Sequence, residues 1–213
     1  SYFENDQWKK FSPGLKNIED ATFLRGKILK SFEKAEREKD KKSIEKLMKF
    51  IIIGGGPTGV EMAGAIAELS KKVLRKEFST IDTKTAKIIL LEADSKILST
   101  APHNLSIYAK NTLEKLGVEV RCNTVVKNIS ENFVETNKET IESETIIWCA
   151  GVKASPLGSW LNIKTDKIGR VFVNKDLSIP SYSNVFVIGD ACHVQDKNGK
   201  PLPGLAPVAK QEG

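Results

Sequence analysis

The sequence predicts an α/β fold built on a parallel sheet, and three stretches carry that prediction. Phe50–Ile53 (FIII) is a short apolar run with three β-branched residues, as expected of a strand buried on both faces. It runs without a spacer into Gly54-Gly55-Gly56-Pro57-Thr58-Gly59, a G-x-G-x-x-G turn, and a helical pattern begins at once. Two further apolar runs, Lys87–Glu92 (KIILLE) and Thr145–Cys149 (TIIWC), follow helical or mixed stretches. Strands separated by helices are the pattern of a parallel sheet.

Taken in order, residues 1–17 hold four aromatics and a Pro-Gly turn without a clear period, and they read as irregular polypeptide packed on something else. Ala21, Leu24, Ile28, Leu29, Phe32 and Ala35 recur mostly three and four apart, which predicts an amphipathic helix from Ile18 to about Lys39. A short helix over Ser43–Met48 leads into the first strand. The helix after the glycines is expected to run from Pro57 to about Glu77, with the small residues Ala63, Gly64 and Ala67 pressed on the sheet. Residues 104–116 predict another helix with Leu105, Tyr108, Ala109, Thr112 and Leu116 on one face and Gly117 as its stop. A strand at Val118–Arg121 follows. The alternating segments within 124–143 predict a small antiparallel meander. Beyond Gly151 a strand is expected near Arg170–Val173 and another at Asn184–Ile188, closing on Gly189-Asp190; Ala206–Gly213 begins a helix.

Composition narrows the function classes. With 213 residues and 40% hydrophobic content the chain can bury a sizeable core. No apolar run approaches the length of a membrane span. Three widely spaced cysteines, Cys122, Cys149 and Cys192, form neither a C-x-x-C pair nor a zinc pattern, and they suggest a reducing compartment. His103 and His193 have no ligand-spaced partners, so no metal site is expected. The net charge of +6 is concentrated in residues 1–49, with 13 Lys/Arg against 9 Asp/Glu. The two signs interleave, which describes a solvated helix face better than a nucleic-acid surface.

The glycine turn carries the chemistry. In a strand–turn–helix setting its first Gly permits the tight turn, its second lets backbone approach a pyrophosphate, and its third lets helix and strand pack closely. The helix start supplies free N–H groups and partial positive charge to phosphate, and Pro57 suits the first helical turn. Gly54, Gly55, Gly56, Pro57, Thr58 and Gly59 are therefore the candidate dinucleotide-binding residues. An acid closing the second strand would accept hydrogen bonds from the adenosine ribose, and Glu92 stands there. It lies 33 residues after Gly59, against a usual gap of about 20, the excess taken up by the long helix and the 79–86 connection. A carboxylate accepts from a 2′-hydroxyl and repels a 2′-phosphate, so NADH is expected over NADPH, although Lys96 lies close in sequence. Glu61 has two readings: an anion near a helix N-terminus, or a catalytic carboxylate facing the nicotinamide. Gly189-Asp190 after a buried strand resembles the point where flavoproteins hold the ribityl chain and pyrophosphate of FAD; it also reads as an ordinary strand-to-loop turn with an Asx hydrogen bond.

Together these residues resemble the two-dinucleotide-binding flavoproteins, and within them the type II NADH dehydrogenases, the single-subunit NADH:quinone oxidoreductases. The matching segments are GLKNIEDATFLR (14–25), GGGPTGVEMAGAIAEL (54–69), LLEADSKIL (90–98), IIWCAGVKASPL (146–157), VFVIGDACHV (185–194) and LPGLAPVAKQEG (202–213). The resemblance implies a Rossmann-like NADH-binding domain with a small antiparallel meander, flanked by partial FAD-binding segments. Residues 1–17 and 152–213 would belong to the FAD domain and 18–151 to the NADH domain. It implies NADH and FAD as cofactors, with Gly54, Gly56, Gly59, Glu61 and Glu92 contacting NADH and Ala150-Gly151 near the nicotinamide. Gly189, Asp190 and Ala206, Pro207 and Val208 would contact FAD, and Gln211 a quinone. Where many members carry Ala-Gln and then Gln-Gln, this chain has Ala206-Pro207 and Gln211-Glu212. A single glycine fingerprint, and an end at Gly213 before the family's amphipathic membrane anchor, mark the chain as the central portion of a longer enzyme.

The resemblance thus implies hydride transfer from NADH to FAD and electron transfer to a quinone without proton pumping. The whole enzyme would sit in the cytoplasm, peripheral on the inner face of the cell membrane through a C-terminal region, with no nucleic acid as partner and a homodimer compatible with the family. The present chain is expected to be inactive by itself. Two alternatives stay open: the NADH-binding domain of a ferredoxin- or nitrite-reductase-type flavoprotein, and a non-catalytic NADH-sensing interaction module.

Overall fold

The computed structural model describes residues 2–213, and the chain divides into two compact units, 1–151 and 152–213. The first unit begins with helices α1 (Ile18–Arg37) and α2 (Lys41–Leu47), then alternates β1 (Lys49–Ile53), α3 (Pro57–Glu68), β2 (Lys87–Leu91), α4 (His103–Lys115) and β3 (Val118–Arg121). The meander β4 (Val126–Ile129), β5 (Phe133–Thr136) and β6 (Thr140–Glu142) follows, and β7 (Thr145–Trp148) closes the sheet. The four-stranded sheet has the order β3-β2-β1-β7, and its pairings are all parallel. Strand order therefore reverses between β1 and β7. In open α/β sheets the crevice at the carboxyl ends of such a strand pair is where ligands bind.

Side-chain alternation along β1 builds two cores. Phe50 and Ile52 face the helices, joining Phe32, Leu24, Ala63, Ile66, Leu113 and Ile147. Ile51 and Ile53 face the other way, onto Ile129, Val134 and Ile141 of the meander and onto Trp148. The unit has three layers: helices, parallel sheet, antiparallel meander. The unbroken apolar runs seen in the sequence follow from this, because both faces of each central strand are covered.

Helix α1 starts at a reciprocal cap. The Asn17 side chain accepts from the Asp20 N–H at 2.7 Å while Asp20 accepts from the Asn17 N–H, satisfying two otherwise orphaned donors. It buries Leu24, Ile28, Phe32 and Ala35, and Ala21 is exposed. Helical structure runs from Pro57 to Lys76, close to the expected end, but the α-helical part α3 stops at Glu68. It gives way to a π turn over Leu69–Val73 and a 3₁₀ turn over Leu74–Lys76. Of the expected α4 face, Ala109 and Leu116 pack on the core, whereas Leu105, Tyr108 and Thr112 are exposed and Ser106 and Leu113 are buried instead. The Ser106 hydroxyl donates to the Ile97 carbonyl at 2.7 Å, so a satisfied serine takes an inward position that an apolar pattern does not mark.

Residues 2–17 pack on the first unit. Gly14 pairs in parallel with Trp148, whose N–H donates to the Pro13 carbonyl. Tyr2 stacks on Trp148 with ring centroids 4.9 Å apart, and Trp8 lies 5.7 Å away on the same indole. The aromatics of this irregular segment thus cover the outer edge of β7.

The second unit holds α5 (Leu157–Trp160), β8 (Val171–Phe172), β9 (Ser178–Ile179), β10 (Tyr182–Phe186), β11 (Cys192–His193) and α6 (Ala206–Glu212). Its core is small: Val171, Ile179, Val187 and Cys192. Beside it sits an ion-pair network. Asp166 accepts from Arg170 Nε at 2.7 Å and from His193 Nδ1 at 3.0 Å, and Arg170 Nη1 donates to the Leu202 carbonyl. Burial alone would raise the Asp166 carboxyl, but hydrogen bonds from His193, Arg170 and the Ile168 N–H outweigh it and hold it well below the usual range.

Two outcomes follow. Phe32→Ala, at a ring that is fully buried against Phe50, is expected to cost about 3–5 kcal/mol in urea unfolding. Asp166, held below its unfolded value of about 3.9, stabilises the second unit above that pH and loses the contribution as pH falls through the lower folded value. Asp166→Asn should flatten the acid limb of a pH–stability curve; an unchanged limb would show that the network adds nothing.

Candidate functional site at the glycine turn

At the carboxyl end of β1 the chain turns through Gly54, whose φ of +108° few side chains could adopt. A Cβ on Gly54 would lie 2.7 Å from the Cα and N of Ala150, at the end of β7. A Cβ on Gly59 would fall on the Gly54 carbonyl oxygen. A Cβ on Gly55 would meet Glu92 Oε2 and Ile97 Cγ2, both at 2.8 Å. Backbone holds positions 54 and 59 to glycine, and at Gly55 it is the packed Glu92 and Ile97 side chains that a methyl would displace. Gly56 differs. Its φ of −72° suits any residue, and a Cβ there would meet nothing within 4 Å. Folding sets no demand for glycine at this position, whereas a molecule lying against the turn would.

Gly56 is also the N-cap of α3. It supplies no capping side chain, and Pro57 occupies the first turn, so the helix presents uncapped N–H groups at the mouth of the crevice. Thr58 is exposed beside them.

Glu92, immediately after β2, is tied down from both oxygens. Oε2 accepts from the Gly55 N–H at 2.5 Å and Oε1 from the Asp94 N–H at 2.8 Å. A carboxylate has about four acceptor positions, so each oxygen keeps one for a further donor. Lys96 turns back on its own loop, its ammonium donating to the Ala101 carbonyl at 3.1 Å. The same loop docks under the turn, with the Leu98 N–H donating to the Gly55 carbonyl at 2.7 Å and Leu98 held at a φ of +48°. Nothing in the residue pattern singles out Ile97 or Leu98; their role comes from the contact.

The structure therefore brings Gly54, Gly55, Gly56, Pro57, Thr58, Gly59, Glu92 and Ala150 to one crevice at the strand reversal, with Gly151 next in the chain. Glu61 lies further along α3, exposed and without a hydrogen bond or ion pair among the described residues. Cys149, beside Ala150, has its thiol pushed up to about 12 by burial, which leaves no thiolate for nucleophilic chemistry. Among the described residues no group of His, Cys, Asp and Glu could hold a metal ion, and no helix is long and apolar enough to cross a membrane.

In the second unit, Gly189 and Asp190 form a 3₁₀ turn after β10, with Gly189 at a φ of +66°. The expected strand at Asn184–Ile188 lies at Tyr182–Phe186, paired antiparallel with β9 and largely exposed. The Asp190 carboxylate is exposed and accepts no hydrogen bond among the described residues. It lies so close to Gly204 that a Cβ there would be 2.8 Å from Oδ1. Ala206 and Pro207 open α6 and are exposed, and Val208 is half-buried. Gln211 points outward, its amide donating to the Pro207 carbonyl, whereas Glu212 points inward and accepts from the Gly189 N–H at 2.6 Å. Burial and the Glu212 carboxylate push the Cys192 thiol up to about 11.

The two kinds of glycine separate in a stability measurement. Gly59→Ala should lower the denaturation midpoint markedly, since backbone must move to admit the methyl. Gly56→Ala should stay within about 1 kcal/mol of the parent, as a mild cap change offset by a stiffer unfolded chain.

Comparison with known proteins places this architecture. The family model for pyridine nucleotide-disulphide oxidoreductases matches residues 8–213. The chain is 43% identical over 220 residues to the type II NADH:quinone oxidoreductase Ndh of Mycobacterium tuberculosis, covering 99% of this chain and 46% of that protein. It is 33% identical to a probable NADH dehydrogenase of Dictyostelium discoideum, covering 92% of this chain and 44% of that protein. The chain spans about half the length of these curated relatives. Its fold is that of NDH2 from Plasmodium falciparum, solved in complex with NADH: TM-score 0.79 at 23% identity, over 92% of this chain and 42% of that one. The chain belongs to the pyridine nucleotide-disulphide oxidoreductase family.

Proposed function

We propose that this chain carries the NADH-binding part of a flavin-dependent NADH:quinone oxidoreductase of the type II kind. The observation that carries the nucleotide assignment is Gly56: a glycine that no protein contact and no backbone angle requires, at the uncapped start of a helix beside the strand reversal. The open cradle there fits a pyrophosphate. The N–H groups at the start of α3 would donate to it, and Gly54, Gly55 and Gly59 hold the turn in the shape that lets it approach.

Glu92 would hold the adenosine ribose. Its two backbone hydrogen bonds fix the carboxylate and leave one acceptor position on each oxygen for the ribose diol. The same negative charge would meet a 2′-phosphate, with Lys96 engaged by Ala101 rather than free to neutralise it. NADH is the nucleotide this arrangement suits. Ala150 and Gly151, across the turn from Gly54, would lie along the nicotinamide half, and Glu61 would be the nearest carboxylate on α3.

In the second unit, Gly189 and Asp190 would take the flavin: Asp190 keeps a free, exposed carboxylate that can accept from ribityl hydroxyls. Ala206, Pro207 and Val208 would add apolar and backbone contacts, and the outward Gln211 would face the quinone. Bound FAD would supply the hydride acceptor and pass the electron pair to a quinone. The protein's part is to bind and orient. The relatives' names support NADH and quinone as substrates. Membrane attachment on the inner face of the cell membrane, and homodimerisation, belong to the same proposal for the whole enzyme.

Calorimetric titration tests the donor site. The wild-type chain should bind NADH and reject NADPH. Glu92→Ala, losing charge-assisted hydrogen bonds of about 1.5–3 kcal/mol each, should weaken NADH about tenfold or more and narrow the discrimination. Tighter NADPH than NADH binding by the wild type would remove Glu92 from the ribose.

A further inference from the structure

The last turn of α6 holds a contact that the reading of the flavin segment does not use. Glu212 lies on the inner side of the helix, half-buried, and its Oε2 accepts from the Gly189 N–H at 2.6 Å, with Cys192 Sγ at 3.4 Å from the same oxygen. Gly189 opens the turn whose next residue is Asp190, and Cys192 starts β11 directly after it. One carboxylate oxygen therefore grips both ends of the four-residue turn 189–192 from a helix twenty residues downstream.

The surroundings make this grip specific. A Cβ at Gly189 would sit 3.4 Å from Ala209 Cβ, so the turn and α6 are in van der Waals contact one helical turn before Glu212. On the far side of the turn, Asp190 rests against Gly204, in the loop that leads into α6. The turn is thus held from its Gly189 side by Glu212 and Ala209 and limited on its Asp190 side by Gly204. Gly189 needs its positive φ, so the turn has little intrinsic preference among loop conformations. The Gly189 N–H is half-buried, and leaving it without an acceptor would carry a desolvation cost.

We infer that Glu212 is a positioning residue. It locks α6 to the Gly189-Asp190 turn through the Gly189 N–H, so that Asp190 and the Ala206–Val208 segment are presented as one rigid surface. This rests on the reading of that surface as the flavin side of the protein, but the lock itself does not. Neighbouring residues divide the work: Gln211 looks outward, and Glu212 looks inward. The identity of residue 212 therefore bears on the shape of the turn and not on the outward surface of α6. An amide at this position keeps an acceptor oxygen at the same reach and would preserve the lock, whereas a side chain without one would not.

Residue-resolved amide exchange on the chain, as wild type, Glu212→Gln and Glu212→Ala, tests the lock. The Gly189 amide is expected to exchange about tenfold faster in Glu212→Ala, the equivalent of one lost hydrogen bond, and near the wild-type rate in Glu212→Gln. The Val171 and Val187 amides, in the core of the same unit, should be unchanged in all three, which separates a loosened turn from an unfolded unit. Equal Gly189 rates in the three proteins would overturn the inference, as would a Glu212→Gln protein as fast as Glu212→Ala. Titration with FAD, followed by quenching of flavin fluorescence, tests what the lock serves: weaker quenching by Glu212→Ala with recovery in Glu212→Gln supports positioning. Quenching by the wild type that both variants match overturns it. Failure of the wild-type chain to quench FAD would count against the flavin reading of the turn, while the exchange result on Glu212 would stand.

Discussion

The close approach of Gly54 to Ala150 is the constraint on which the first unit depends. With backbone atoms of Ala150, two residues past β7, where a Cβ would otherwise stand, the ends of β1 and β7 come together at the point where strand order reverses. The Gly59 Cα packs on the Gly54 carbonyl, which brings the start of α3 down onto the same spot. Strand, turn, helix and the segment after the fourth strand converge on two missing methyl groups, at Gly54 and Gly59. A core at crystalline density transmits a displacement instead of absorbing it, so a methyl added at either glycine would be felt across the crevice.

On the β2 side the crevice is held by polar contacts. Glu92 ties the end of β2 to the glycine turn, and the 95–101 loop ties itself back to both through Leu98 and Lys96. This carboxylate has a double duty. It organises the glycine turn and keeps one acceptor position on each oxygen, which the proposed ribose contact would use. Preorganisation of this sort lowers the ordering cost of binding. The layer opposite the helices is a meander where a doubly wound fold would place further helices. Its inward residues Ile129, Val134 and Ile141 still cover the second face of β1 and β2, which is why those strands remain apolar throughout.

The second unit is organised differently. Its core has four buried residues, and polar ties join its segments: Asp166 with Arg170 and His193, and Glu212 with Gly189. Several large apolar side chains, including Phe186, Ile188 and Leu205, stay exposed there. A unit with little buried apolar area relies on specific hydrogen-bonded contacts to select one conformation among many.

The parallel sheet, the glycine turn, the acid after the second strand and the meander were all legible in the residues, because each is written in local spacing: apolar runs, glycine positions, alternation. Local spacing also misled where a tertiary contact decided the outcome. Helix α4 turned Leu105 and Tyr108 outward and Ser106, which donates to the Ile97 carbonyl, inward, and the helix after the glycines changed from α to π geometry at Leu69. The two sides of the Gln211-Glu212 pair, the Asp166 network that took in the isolated His193, and the docking of Leu98 under the turn had no sequence signal. Each joins residues brought together only by the folded backbone. Sequence alone showed that glycines stand at 54, 55, 56 and 59. Only the tertiary structure separated three that the protein needs for its own packing from the one, Gly56, that leaves room for something else. The reason is physical: a missing methyl group acquires meaning only from what would have touched it.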